Sequence, residues 1–285
     1  MLADMKKTEI VLKGTENKSI SLDYILPSKI KGPIVLYAHG FNGFKDWGGM
    51  DLVAAEFAKK GMPFIKFNFS HNGTTPELPT EFTDLEAYGT NTISKELNDF
   101  FIVYNWVTKE FTKQIEMTLP VVLIGHSKGG SESIVFTARK RSHISKLITW
   151  AAPARADIPW YNWPTDKIFE WKRNGFTEIE NKRTKQKLKL GLELLEDFEN
   201  HKINYDVLSS ASKVSVPWLI CHGDADESVD LENAFKLHEA NLKSELLIIK
   251  KTGHTFDRAH PWQQKTLPLA TKKLIRESIK FALAK

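Results

Sequence analysis

A buried strand, a sharp turn and a helix are predicted by the stretch Val121-Val122-Leu123-Ile124-Gly125-His126-Ser127-Lys128-Gly129-Gly130. Its first four residues are apolar, which is typical of a strand covered on both faces of a parallel sheet. The turn forces Ser127 into a strained backbone conformation, and Gly125 and Gly129 leave room for a strand and a helix to approach closely. The turn therefore presents the hydroxyl of Ser127 at the helix N-terminus, and we expect this serine to be a nucleophile.

Short apolar runs alternate with segments of helical periodicity along most of the chain. The predicted strands are Ile34–Ala38, Phe64–Asn68, Val121–Ile124, Leu147–Ala151, Trp218–Cys221 and Leu246–Ile249. The predicted helices are Leu52–Lys60, Ile93–Phe111, Ser131–Arg141, Leu231–Ala240 and Lys265–Ala284. An antiparallel pair precedes them, formed by Glu9–Leu12 and Ser19–Leu26. This order predicts the α/β class with a doubly wound, mostly parallel sheet.

The alternation stops between about Pro153 and Lys213, a gap too long for an ordinary connection in a compact domain. We therefore expect residues 154–212 to form a lid over the site, inserted late in the sheet. Residues 1–153 and 213–285 then form the core. The elements predicted inside the lid are a hairpin and a helix, at Phe176–Glu180, Lys185–Leu190 and Leu192–Phe198.

A serine hydroxyl is a poor nucleophile until a neighbouring base takes its proton, so a histidine is expected later in the chain. His254 follows the predicted strand Leu246–Ile249, which places it at the same edge of the sheet as Ser127. His260, followed by Pro261, is the alternative base, although its setting is more typical of loop packing.

An acidic residue must orient the imidazole, and it is expected between the nucleophile and the base in the chain. Asp226 meets this requirement because it comes soon after the predicted strand Trp218–Cys221. Asp224, Glu227 and Asp230 are its rivals, but such residues in a loop more often form turns or cap helices.

Acyl transfer also needs N–H groups that point at the developing oxyanion. One donor is expected to be the backbone amide of Lys128, directly after the nucleophile. The other is assigned to Phe41, in the run His39-Gly40-Phe41-Asn42-Gly43 that follows the strand Ile34–Ala38.

Aromatic residues cluster in the predicted lid. Trp160 and Trp163, with Trp171 and Phe169, could wall an apolar or aromatic acyl pocket. The alternative is that these side chains anchor the lid to the body of the protein.

Four segments, in their order along the chain, resemble the alpha/beta-hydrolase superfamily. They match its oxyanion loop, nucleophile elbow, acid turn and base loop, and they are His39-Gly40-Phe41, Gly125-His126-Ser127-Lys128-Gly129-Gly130, His222-Gly223-Asp224-Ala225-Asp226 and Gly253-His254-Thr255. The resemblance spans residues from about 20 to 285. It is closest to capped serine esterases, including feruloyl esterases and monoacylglycerol lipases, and to dienelactone-hydrolase-type and prolyl-oligopeptidase-type domains. It implies a cap after the sixth strand, where residues 154–212 fall.

The chain departs from common usage in this superfamily at two places. At Lys128 a Met, Gln or Leu often follows the serine, and at Asn68-Phe69-Ser70-His71-Asn72-Gly73 an Asp-led turn is frequent. The side chain of Lys128 either favours a carboxylate-bearing substrate or packs along the following helix and points to water.

The sequence thus predicts a serine hydrolase that cleaves carboxylic esters, with small aryl or short-to-medium acyl groups, through an acyl-enzyme. No metal or organic cofactor is expected. The alternatives are a serine aminopeptidase or amidase on the same scaffold, and a non-catalytic ligand-binding protein of the same fold.

Composition limits the other possibilities. The chain has 285 residues, and its 40 Lys and Arg against 35 Asp and Glu are too evenly balanced to favour a nucleic-acid partner. The single cysteine, Cys221, forbids an internal disulfide. No apolar run has the length of a signal peptide or a membrane span, so we expect a cytoplasmic protein. We also expect a monomer or homodimer whose partner is a small-molecule ester.

Overall fold

An eight-stranded sheet forms the centre of the computed structural model, which describes residues 7–139 and 144–284. The strands, in chain order, are β1 Lys7–Lys13, β2 Ser19–Ile25, β3 Ile34–Ala38, β4 Phe64–Phe67, β5 Val121–His126, β6 Ile144–Trp150, β7 Phe176–Glu180, β8 Lys187–Gly191, β9 Trp218–Gly223 and β10 Glu245–Ile249. The order in the large sheet is β1-β2-β4-β3-β5-β6-β9-β10, and β7 pairs only with β8. Only β1–β2 and β2–β4 are antiparallel within the large sheet. The predicted mostly parallel α/β sheet is confirmed.

The helices connect these strands and cover the sheet. In chain order they are α1 Met50–Lys59, α2 Leu85–Gly89, α3 Ile93–Trp106, α4 Thr112–Gln114, α5 Lys128–Ala138, α6 Thr165–Asn174, α7 Leu192–His201, α8 Val207–Ala211, α9 Glu232–Ala240 and α10 Leu269–Leu283. A π-helical segment, Val107–Phe111, continues α3. The predicted helix end at Arg141 lies outside the described residues.

Both faces of the sheet are buried, as a doubly wound fold requires. Alternate residues of β3 show this: Ile34 and Leu36 belong to one apolar cluster, and Val35 and Tyr37 belong to the other. Helices α3 and α5 contribute to the first cluster, and α1 and α10 contribute to the second. Six neighbouring strands of this sheet, β3, β4, β5, β6, β9 and β10, run parallel. Their carboxyl ends therefore lie at one edge of the sheet, and the loops that follow these strands meet there.

Between β6 and β9 the chain forms α6, the β7–β8 hairpin, α7 and α8. The predicted hairpin is confirmed, with Phe176 paired to Gly191 and Glu180 paired to Lys187. Gln186 Nε2 donates a hydrogen bond to the carbonyl oxygen of Phe82 at 3.0 Å, so the hairpin contacts the segment that leads into α2. This inserted segment, as residues 154–212 are called below, occupies the region predicted to form a lid.

Among the described residues, none of the helices combines the length and the apolar composition that crossing a bilayer requires.

Candidate active site

Ser127 lies in the turn between β5 and α5, with a φ of 55° and a ψ of −128°. A positive φ is strained for any residue other than glycine, and this strain was predicted. The backbone N–H of Ser127 donates to the carbonyl oxygen of Trp150 at 2.9 Å, which ties the turn to β6. A side chain at Gly125 would overlap the backbone of Gly129, and one at Gly129 would overlap the backbone of His39. The glycines therefore permit the close contacts that hold the turn.

His254 and Asp226 reach Ser127 from the loops that follow β10 and β9. His254 Nε2 lies 2.9 Å from Ser127 Oγ, and His254 Nδ1 lies 2.8 Å from Asp226 Oδ2. An ionised carboxylate can only accept a hydrogen bond, so Nδ1 carries the proton and Nε2 presents its lone pair to the hydroxyl. The structure thus brings together the three residues that the sequence selected, in the order that proton transfer from the serine requires.

Asp226 is held by more than the imidazole. Its Oδ1 accepts hydrogen bonds from the backbone N–H groups of Ser228 at 2.8 Å and Val229 at 2.9 Å. Burial by itself would raise the pKa of this carboxyl, but hydrogen bonds from His222 and His254 outweigh burial and lower the pKa well below its usual range. Asp226 is therefore ionised at neutral pH and can stabilise a protonated His254.

His222 is a neighbour of the acid that the sequence analysis missed. Its Nε2 lies 2.8 Å from the carbonyl oxygen of Val229 and 3.3 Å from Asp226 Oδ2, so this nitrogen must carry a proton. The only signal in the sequence is its position at the end of β9, four residues before Asp226.

The rival residues have other partners. Asp224 accepts a hydrogen bond from the backbone N–H of Lys251 at 2.5 Å and thereby joins the loop after β9 to the loop after β10. His260 accepts from the backbone N–H of Gly48 at 3.3 Å, and its ring packs edge-on against Phe44 at 4.8 Å. These contacts are those of a turn residue and a packing residue.

His126, directly before the serine, supports the base. Its Nε2 donates to the carbonyl oxygen of His254 at 3.0 Å, and the two rings are 4.9 Å apart. Burial, followed by repulsion from His254 when that ring is protonated, lowers the pKa of His126 well below its usual range, so His126 stays neutral. The sequence analysis did not identify this role.

Comparison by sequence finds no relative: no protein-family model and no curated protein matches the chain. Solved structures do match. A protein from Agrobacterium vitis S4 has a TM-score of 0.73 at 18% identity, covering 98% of this chain and 99% of its own. The mouse alpha/beta hydrolase domain-containing protein 10 has a TM-score of 0.69 at 16% identity, covering 96% and 97%. Est1E from Butyrivibrio proteoclasticus has a TM-score of 0.67 at 18% identity, covering 97% and 99%.

The chain has the α/β-hydrolase fold. The resemblance inferred from the four segments is confirmed at the level of the fold, and the segments lie at the carboxyl edge of its sheet.

Two backbone amides of this α/β-hydrolase fold lie beside the serine. Gly40 passes so close to Ser127 that an added Cβ would lie 2.8 Å from the serine Cβ, and Phe41 is the next residue. Lys128 opens α5, where the first N–H groups of a helix have no acceptor within the helix. Within the described residues, neither amide donates to another backbone carbonyl. Both are thus available to an oxyanion.

The side chain of Lys128 does not point to water, and that expectation is wrong. The residue is 4% exposed, and its ammonium group forms ion pairs with Glu96 and, at 2.7 Å, with Glu132. A buried charge must be paired to offset the loss of its hydration. Because two carboxylates already balance Lys128, it offers no free cation to a carboxylate-bearing substrate.

A small cavity lies beside these oxyanion segments. It is about 20 Å³ in volume, roughly the room needed for one water molecule. Its walls come from the loop after β3, from residues around α2 and α3, and from the inserted segment, and they include Phe41, Asn42, Tyr88, Asn91, Glu96, Lys128, Leu190 and Leu194.

Trp160 and Trp163 are not among the described residues that line this cavity. Each packs against Trp171 with ring centroids 5.7 Å apart, inside the inserted segment. Phe169, named with them in the sequence analysis, is 68% exposed. These tryptophans thus pack together within the inserted segment, and Trp160 and Trp171 belong to the same apolar cluster as the sheet residue Leu36.

Proposed function

We propose that the chain is a serine hydrolase that cleaves carboxylic esters through an acyl-enzyme. Ser127 attacks the ester carbonyl while His254 Nε2 takes the hydroxyl proton, and the same nitrogen then donates that proton to the leaving alcohol. Asp226 holds the imidazole in the required tautomer. Water then attacks the acyl-enzyme while His254 takes its proton, and this proton passes to Ser127 Oγ as the bond between Oγ and the acyl carbon breaks and the acid leaves. Apart from the ester and water, these steps use only groups that the chain itself supplies.

One observation carries this proposal: the continuous contact from Asp226 through His254 to Ser127, at 2.8 Å and 2.9 Å. A hydroxyl next to a histidine is common in proteins. A hydroxyl on a strained turn, next to a histidine that a buried carboxylate orients, is the arrangement that activates a nucleophile.

The amides of Phe41 and Lys128 are proposed to bind the oxyanion. Phe41 follows Gly40, which packs against Ser127, and Lys128 follows Ser127 directly, so both N–H groups come from residues next to the nucleophile and would serve as the donors that a tetrahedral intermediate requires. Residues 154–212 are proposed to act as the lid, since Leu190 and Leu194 of this segment contribute to the cavity wall.

The substrate is proposed to be an ester with a small aryl or short-to-medium acyl group. Est1E, one of the structurally similar proteins, was also solved with ferulic acid bound.

Labelling with a fluorophosphonate probe tests the proposal. We expect one label on the native protein and none on the Ser127→Ala variant. Equal labelling of both proteins, or none on the native protein, would contradict the catalytic role of Ser127.

A substrate panel tests the reaction class. We expect turnover of p-nitrophenyl esters with short acyl chains and of feruloyl esters, and loss of this turnover in Ser127→Ala. Preference for peptide or amide substrates over every ester would instead establish the aminopeptidase or amidase alternative.

A further inference from the structure

The turn after β4, residues 68–73, is one of the two places where the chain departs from common usage in the superfamily, and the proposed catalytic steps do not use it. We infer that Asn72 of this turn, together with His39, fixes the peptide group between Gly40 and Phe41, whose N–H is a proposed oxyanion donor. Asn72 and His39 are then positioning residues. This inference rests on the proposed function and names two further residues on which its rate depends.

The peptide group between Gly40 and Phe41 has to be held by its surroundings. An added Cβ at Gly40 would lie 2.8 Å from the Cβ of Ser127, so this position requires glycine, whose backbone has the greatest conformational freedom. The other proposed donor is held differently. Lys128 opens helix α5, and the carbonyl oxygen of Ser127, in the same peptide group, accepts from the N–H of Gly130 at 2.8 Å.

Two donors hold the carbonyl oxygen of Gly40. His39 Nδ1 lies 2.9 Å from it, and the backbone N–H of Gly43 donates to it at 3.0 Å. A carbonyl oxygen only accepts, so His39 Nδ1 carries a proton. The peptide bond to Phe41 is not among the cis bonds of the described residues, and in a trans peptide the N–H points away from the C=O. Holding the oxygen of Gly40 therefore also fixes the direction of the Phe41 N–H.

His39 is a buried ring with a single proton. It is 4% exposed, and it packs edge-on against Phe69 with ring centroids 5.1 Å apart. Burial lowers the pKa of His39 to about 4, so the ring is neutral at neutral pH. The position of its proton therefore depends on the groups that face its two nitrogens.

Asn72 contacts both groups that donate to Gly40. Its Nδ2 lies 3.4 Å from His39 Nε2 and 3.4 Å from the carbonyl oxygen of Gly43. Because the neutral ring has its proton on Nδ1, Nε2 has a lone pair that accepts from Asn72. Asn72 thereby favours the tautomer of His39 that donates to Gly40.

The turn itself fixes the amide of Asn72. Its Oδ1 accepts from the backbone N–H of Thr74 at 3.1 Å and from the hydroxyl of Thr74 at 2.8 Å. A backbone N–H only donates, so this contact determines which end of the amide is the oxygen, and the nitrogen faces His39. The hydroxyl of Thr74 accepts in turn from Asn68 Nδ2 at 2.8 Å. A series of hydrogen bonds thus connects the turn after β4 to the proposed oxyanion donor.

The first test measures kcat and KM for p-nitrophenyl acetate, with kcat referred to the concentration of sites that a fluorophosphonate labels. We expect Asn72→Leu to lower kcat about tenfold, which is less than the hundredfold or more that loss of an oxyanion donor itself costs. KM should change by less than about twofold, because the oxyanion forms only after attack has begun.

His71→Leu is the matched control for Asn72→Leu. His71 is buried in the same turn, but its ring contacts Ser70 and Glu16, so this variant should keep the native kcat. Equal losses of kcat in the two variants would mean that the turn as a whole is required and would overturn the role of the Asn72 amide.

Two substitutions of His39 separate the role of Nδ1 from that of Nε2, even if Asn72→Leu does not fold. The side-chain nitrogen of an asparagine lies near the position of Nδ1, and that of a glutamine lies near the position of Nε2. We expect kcat to be about tenfold lower in His39→Gln than in His39→Asn, because only the asparagine can donate to Gly40. Equal kcat in the two variants would contradict the positioning role of His39.

The tautomer of His39 is measured directly in the native protein. NMR of protein containing nitrogen-15 histidine distinguishes a protonated ring nitrogen from one with a lone pair, and the signals of His39 are those absent from His39→Asn. We expect the proton on Nδ1 at neutral pH. A proton on Nε2 would overturn the inference, whatever the variants show.

Failure of this inference and failure of the proposed function give different results. If fluorophosphonate labels the native protein and the ester is hydrolysed, but His39→Asn and His39→Gln behave alike, the positioning role is wrong and the serine hydrolase stands. If the native protein is neither labelled nor active on the ester, the proposed function fails and the positioning role fails with it.

Discussion

At the residue scale, the candidate active site depends on three side chains that their contacts hold in place. Ser127 lies in a strained turn, and Nδ1 of His254 forms a hydrogen bond with Asp226. Asp226 also accepts hydrogen bonds from two backbone N–H groups. Hydrogen bonds from His222 and His254 keep the pKa of Asp226 low despite its burial, so it is charged, as the proposed proton transfer to His254 requires. Because the carboxylate is charged before the reaction begins, the site would not have to reorganise when the imidazole becomes protonated.

We expect Ser127→Ala and His254→Ala to lower kcat about a million-fold if the three residues act as a unit, and Asp226→Asn to lower it about ten thousand-fold. The Asp226→Asn variant keeps the shape of the site but loses the charge that stabilises the protonated imidazole. Steady-state hydrolysis of a p-nitrophenyl ester measures both effects. Asp224→Asn is the control in the same loop, and a larger loss there than in Asp226→Asn would mean that the acid is wrongly assigned.

At the element scale, the loop after β3 is anchored by buried charges. Lys45 and Lys66 reach Asp23 on β2 at 2.5 Å and 2.8 Å, and Lys66 reaches Asp51 on α1 at 2.9 Å. Asp46, from the same loop, also pairs with Lys45 and Lys66. This network holds the loop that carries Phe41 against the sheet.

Lys66→Ala is expected to destabilise the protein by about 3–5 kcal/mol, because it removes a buried cation that pairs with Asp23, Asp46 and Asp51. Lys66 is fully buried, and Lys29→Ala, at an exposed position, is the control. The free energy of unfolding, measured by urea denaturation, gives both values. Similar losses in the two variants would show that the buried network contributes nothing.

The same network predicts a loss of stability in acid. Burial would raise the pKa of Asp46, but Lys66 and Lys45 lower it from 3.8 to about 2. Since the folded pKa is the lower one, the stabilisation is complete above the unfolded value and is lost as the pH falls from about 4 through 2. The melting temperature should therefore decrease in this range, and less steeply in Asp46→Asn. An unchanged slope in Asp46→Asn would assign the acid sensitivity to other carboxyls.

Several elements could not be predicted from the sequence because their local signals are short. Helices α2 and α8 each span five residues, which is too few for a helical period to be recognised. Both begin at an aspartate whose side chain accepts from the backbone three residues on, at Asp84 and Asp206. Helix α6 was missed because Trp171 is its only buried residue, so it has almost no apolar face.

At the scale of the whole molecule, the inserted segment shares the apolar core of the sheet. Leu188 on β8 is fully buried, and it belongs to the same cluster as Leu36 on β3. A segment that packs into the main core has no separate core of its own. We therefore expect it to unfold together with the sheet.

Leu188→Ala should lower the free energy of unfolding by about 2–5 kcal/mol and leave a single transition. Lys187→Ala, at the neighbouring exposed position, should change it by less than about 0.5 kcal/mol. Far-UV circular dichroism during urea denaturation measures both. Two separated transitions in Leu188→Ala would show that the inserted segment folds independently.

The sequence by itself determined the sheet, the strained serine turn and the order of the loops that supply His254 and Asp226. These features have signals within a few neighbouring residues, such as apolar runs, glycines at close contacts and chemistry at strand ends. Only the tertiary structure decided the partners of Lys128 and the support of Asp226 by His222. These depend on which distant side chains are buried together, because a buried polar group is stabilised by its neighbours in space, and Glu96 lies 32 residues before the lysine it pairs with.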